Sequence, residues 1–93
     1  MTVHGYAGDR DRLLNRVNRL EGQVRGVGRM IEEDRYCIDI VNQLSAIQAA
    51  ARELSLQLLD GHVRHCVADA VRADNAEPKV TELIETLGRA MGR

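Results

Sequence analysis

Three side chains in this sequence could hold a soft metal ion: Cys37, His62 and Cys66. His62 and Cys66 are four residues apart, so on a helix they share one face and present an imidazole and a thiolate together. His65 lies roughly 100° around the helix from Cys66 and does not share that face. Cys37 precedes His62 by 25 residues, which along one continuous helix is roughly 38 Å. A single chain cannot then bring all three groups to one ion, but two antiparallel copies of the helix can. A two-fold axis would set Cys37 of one chain beside His62 and Cys66 of the other, making two identical sites. The midpoints of these pairings fall at 49.5 and 51.5, on the run Ala49, Ala50 and Ala51, whose small side chains allow close approach at a crossing. Two thiolates and an imidazole suit Cu(I) or Zn(II). Three ligands alone suit trigonal Cu(I); a fourth from His4, with the N-terminal arm folded over, would favour nickel, cobalt or zinc.

Two apolar stripes must position these groups. Leu13, Val17, Leu20, Val24, Val27 and Ile31 alternate in spacings of 4 and 3. They predict a helix from Asp9 to about Asp34, with Asp9 as N-cap. Gly22, Gly26 and Gly28 weaken that helix and read as places where a neighbouring helix comes close. No Gly or Pro marks a break at Glu32-Glu33-Asp34-Arg35. Beyond it Ile40, Leu44, Ile47, Ala51, Leu54 and Leu58 repeat the spacing. They predict a long helix from about Ile38 to about Val71, with Gly61 a point where it can bend. Residues 73–78 read as a turn, with Asn75 a cap before Pro78. Val80, Leu83, Ile84, Leu87 and Met91 then share one face of a third helix. The fold class is all-α, three helices per chain, with residues 1–93 forming one domain.

The 93 residues include no Trp, no Phe and two Tyr. A chain this short without large aromatics has little to bury alone, and two coiled-coil-type stripes call for association into a bundle. The composition also excludes function classes. No apolar run approaches the roughly 18 residues of a membrane span, and no signal peptide leads the chain. Two cysteines cannot build a multi-disulfide scaffold, and two aromatics cannot build a base-stacking platform. A Cys/His pair without an orienting third group gives no catalytic triad, so no enzyme is expected. The expectation is a cytoplasmic homo-oligomer without membrane contact.

The formal net charge of −1 argues against nucleic acid, but it hides an uneven distribution. Residues 10–29 hold Arg10, Arg12, Arg16, Arg19, Arg25 and Arg29 against only Asp11 and Glu21. Twelve of the thirteen basic residues are Arg, the side chain that grips phosphate bidentately.

The run Arg16-Val17-Asn18-Arg19-Leu20-Glu21-Gly22-Gln23-Val24-Arg25-Gly26 resembles the first-helix signature of the CsoR/RcnR family of bacterial transcriptional repressors. So do Arg29 to Ile40, Gln43 to Ala50, and His62-Val63-Arg64-His65-Cys66, so that the resemblance covers nearly the whole chain. It implies an all-α fold without a helix-turn-helix, an antiparallel four-helix-bundle dimer, and a homotetramer built as a dimer of dimers. It implies that the metal-free protein binds double-stranded operator DNA and that metal releases it. The set Cys37, His62 and Cys66 matches the copper-sensing branch, with Cu(I) as inducer. Ni(II), Zn(II) or persulfide are the inducers of the alternative, a repressor of the same fold, and His4 bears on nickel. Tyr36 and Glu82 fall where copper sensors carry groups that meet the metal-bound histidine. The resemblance turns the arginine-rich segment into a DNA surface of Arg16, Arg19, Arg25 and Arg29, extended by Arg52. Glu53 stands where copper sensors often carry a basic residue.

Overall fold

The structure is a computed structural model that describes residues 5–90. The described residues are helical throughout, joined by short turns, and contain no strand. A 3-10 turn, Ala7–Asp9, leads into α1, Arg10–Glu32. Asp9 does stand at the N-cap of α1, but its side chain makes no capping hydrogen bond.

Helix α1 ends without a glycine because Asp34 takes the left-handed conformation, at φ 55°. The Asp34 amide then donates to the Ile31 carbonyl, and the Arg35 amide to the Met30 carbonyl. This is the Schellman pattern, which satisfies the last carbonyls of a helix. Asp is among the few residues that enter this region without a severe steric penalty. The chain then enters α2, Cys37–Gly61, where the Tyr36 carbonyl accepts from the amides of Asp39 and Ile40.

Beyond Gly61 the backbone stays helical but widens to a π-helical segment, His62–Val67, and returns to α-helix in α3, Ala68–Arg72. Gly61 itself has ordinary helical angles, φ −61° and ψ −39°. The departure from α-geometry thus falls on the residues after it, and no bend is seated in the glycine's own backbone. Helix α3 ends as α1 does. Asp74 sits at φ 56°, and the amides of Asp74 and Asn75 donate to the carbonyls of Val71 and Ala70. Helix α4, Ala76–Ala90, starts directly after Asn75. Pro78 lies in its first turn, where a missing N–H leaves no hydrogen bond unmade.

The chain divides into two compact units. Among the described residues one joins residues 5–7 to residues 58–90, and in it α4 packs against the π segment and α3. The other comprises Gly8–Gln57. Of the expected first stripe only Leu13 and Val27 are buried; Val17, Val24 and Ile31 are exposed. Leu44 and Leu58 of the second stripe and Ile84 and Leu87 of the third are exposed as well. Met91 and His4 lie outside the described residues.

The glycines of α1 are not explained as expected. A Cβ added at Gly22 or Gly28 would meet nothing within 4 Å, and one at Gly26 only the end of the Arg29 side chain. Among the described residues no other helix makes van der Waals contact at these positions, although Gln43 of α2 lines the same cleft as Gly22 and Gly26.

Candidate functional site

His62 opens the π segment and Cys66 lies four residues on. A π-helix advances by i→i+5 hydrogen bonds and appears mostly as single turns at functional sites. In this one both side chains line the same cavity, about 280 Å³ in volume. Leu58 and Leu59 from the end of α2, and Glu82, Leu83 and Thr86 from α4, line it as well. Gly5 and Tyr6 complete the wall. Cys66 is a free thiol and half-buried. The Nε2 atom of His62 is 3.6 Å from Oε1 of Glu82, an ion-pair distance if the imidazole is protonated. The cavity therefore offers one thiol and one imidazole in a largely aliphatic surround, with a carboxylate at the second ring nitrogen. That donor set fits a soft or borderline ion.

Cys37 and Tyr36 belong to the other compact unit and are not in this wall. Cys37 is the first residue of α2, a free and exposed thiol, and the Tyr36 side chain is exposed. Among the described residues no three His, Cys, Asp or Glu side chains gather closely enough to hold a metal ion. His65 is exposed and lines no part of the cavity.

The arginines of the Gly8–Gln57 unit are solvent-facing. Arg16, Arg19, Arg29 and Arg52 are exposed and enter no ion pair among the described residues. Arg25 differs, since its guanidinium donates to Glu21 Oε1 at 2.7 Å, one helical turn away. Arg19, Arg29 and Arg35 line an open cleft of about 460 Å³, with Gln23, Gln43, Gly22 and Gly26 beside them. The Oε1 atom of Gln23 is buried and has no hydrogen-bond partner.

Sequence reasoning missed Gly5 and Tyr6 in the cavity wall. The one signal for them is Gly61. A glycine inside a helix costs about 1 kcal/mol against alanine, and its ordinary helical angles leave packing as the reason for it.

Comparison with known proteins extends this picture. A profile of the metal-sensitive transcriptional repressor family matches residues 9–89, and the chain belongs to that family. It is 46% identical over 82 residues to the copper-sensing transcriptional repressor CsoR of Bacillus subtilis, covering 88% of this chain and 81% of that protein. It is 47% identical over 89 residues to the copper-sensing transcriptional repressor RicR of Mycobacterium tuberculosis, covering 94% and 93%. Among solved structures it is similar to the copper-sensing repressor CsoR with Cu(I) from Geobacillus thermodenitrificans. The TM-score is 0.87 at 45% identity, over 90% of this chain and 88% of that one. The nickel-responsive transcriptional regulator InrS matches with a TM-score of 0.74 at 35% identity, over 85% and 89%.

Proposed function

We propose that this chain is a Cu(I)-responsive transcriptional repressor. Metal-free, it binds operator DNA through Arg16, Arg19, Arg25, Arg29 and Arg52. Cu(I) bound by Cys37 of one chain and by His62 and Cys66 of another releases it. The observation that carries the reading is the cavity holding His62 and Cys66 together, while Cys37 stands in the other compact unit. A two-ligand half-site needs a third donor from elsewhere, and a homodimer supplies it. The copper-sensing relatives support the choice of Cu(I); the likeness to InrS makes Ni(II) the second reading. The family match spans both units, which supports one functional domain. Cytoplasmic action follows from the DNA target, and no helix among the described residues is long and apolar enough to cross a membrane.

Anaerobic titration with Cu(I), monitored by operator binding, tests the reading. The expected result is one Cu(I) per chain with loss of DNA affinity. Release by Ni(II) and not by Cu(I) selects the second reading, and failure to bind DNA in any metal state removes both.

Glu82 supplies the link between metal and DNA. With Nε2 of His62 directed at Glu82, Nδ1 is the nitrogen left for a metal, and the ligated ring presents its remaining N–H to the carboxylate. Metal binding then strengthens the hold of α4 on the π segment. Glu82→Ala is expected to cost Cu(I) affinity no more than the about 10- to 100-fold that losing a ligand's hydrogen-bond partner commonly costs, so Cu(I) still saturates the site. It should also remove most of the roughly 5- to 150-fold change in DNA affinity that an allosteric coupling provides. Operator binding measured with and without Cu(I) decides this; unchanged release in the variant refutes the link.

A further inference from the structure

Gly5 and Gly61 are in backbone contact. A Cβ built on Gly61 would lie 2.8 Å from the Gly5 carbonyl oxygen. One built on Gly5 would lie 2.3 Å from the Gly61 oxygen, 2.6 Å from its carbonyl carbon and 3.0 Å from the His62 amide nitrogen. All of these are main-chain atoms, so no side-chain rotation can relieve the clash. Neither glycine has a left-handed φ, so conformational freedom does not account for them. The missing Cβ atoms do, because they let two strands of backbone pass at van der Waals distance. The crossing stands at the entrance to the π segment. The residue after Gly61 is His62, and the residue after Gly5 is Tyr6, which lines the cavity with His62 and Cys66.

We propose that the Gly5–Gly61 crossing latches the N-terminal arm onto the start of the π segment and makes Gly5 and Tyr6 a shielding wall of the half-site. Gly5 and Gly61 are then positioning residues, and the arm sets how far solvent and competing donors reach Cys66. The half-site's role in sensing Cu(I) rests on the function proposed above, but the latch is tested without metal or DNA, so the two fail separately.

The experiment uses the full-length, metal-free, reduced protein. Gly61→Ala, Gly5→Ala and the double variant are compared with the parent. N-ethylmaleimide alkylation of Cys66 is followed by mass spectrometry with Cys37 as internal reference. Hydrogen exchange is measured on the peptide containing Tyr6 and Ala7. Alanine is the better helix former, so Gly61→Ala should retain full helical circular dichroism; Gly5→Ala lies outside the helices altogether. Each single variant should raise the alkylation rate of Cys66 relative to Cys37 by about tenfold and speed exchange in the arm, as expected when a docked segment opens. The double variant should equal the single ones, because both remove the same crossing. Parental rates in both single variants overturn the latch, and so do effects that multiply in the double variant.

Discussion

Cys66→Ala and Cys37→Ala are each expected to abolish Cu(I)-dependent release of operator DNA, and a mixture of the two is expected to regain it in part. Removing a hydrogen-bond partner of a ligand commonly costs 10- to 100-fold in metal affinity, so removing a thiolate ligand itself should cost more than about 100-fold. Neither change touches the arginine face. Cys66 lies on the π segment and Cys37 at the start of α2, so DNA affinity without metal should be retained in both. The mixture separates a shared site from an internal one. A dimer of one Cys37→Ala chain and one Cys66→Ala chain has one site lacking both thiolates and one with its full ligand set. It should bind one Cu(I) per mixed dimer, while either variant alone binds none tightly. Co-expression with two purification tags isolates the mixed dimer for anaerobic titration. No tight Cu(I) in the mixed dimer excludes sharing between chains, whatever the single variants do.

The second large effect concerns DNA. Arg16→Ala combined with Arg19→Ala should lower operator affinity at least about tenfold and flatten its salt dependence, the slope falling by about 0.9 for each phosphate no longer neutralised. These two side chains are exposed and free of ion pairs among the described residues, so both are available to phosphate. Arg25 is held by Glu21, and Arg25→Ala should weaken binding less, because some of its charge is already screened locally. The comparison is made by fluorescence anisotropy from about 50 to 200 mM salt, a range over which a protein neutralising six to ten phosphates changes affinity by about 10³ to 10⁵. The Cu(I) stoichiometry of the double variant should equal the parent's. Parental affinity and slope in that variant would remove α1 from the DNA surface.

Much of this fold was legible because its helices are long and strongly periodic. The stripe from Leu13 to Ile31 places α1 within two residues of where it lies, and the second stripe places the path from α2 through α3 equally well. The ends were harder. Asp34 and Asp74 close their helices with a left-handed residue, where a glycine would have signalled the stop. The π segment was not legible, since inserting one residue into a helical turn leaves no composition mark. His62 and Cys66 were readable as a pair because a spacing of four survives in either helix type. The aliphatic residues around them and the wall from Gly5 and Tyr6 depend on tertiary packing that spacing does not encode. The glycines of α1 pointed to a helix in van der Waals contact, and among the described residues none touches a Cβ built there.

The sparse core carries a thermodynamic consequence. Among the described residues only Leu13 and Val27 are buried apolar side chains, while sixteen large apolar ones are exposed. If those faces are covered by other copies of the chain, the folded state is stabilised by mass action, and its free energy rises with the logarithm of protein concentration. The repressor's lifetime in the cell then becomes a readout of its own abundance. Scarce copies spend more time unpaired and open to proteolysis, and plentiful ones protect each other. Repression would therefore depend on expression level before any metal enters.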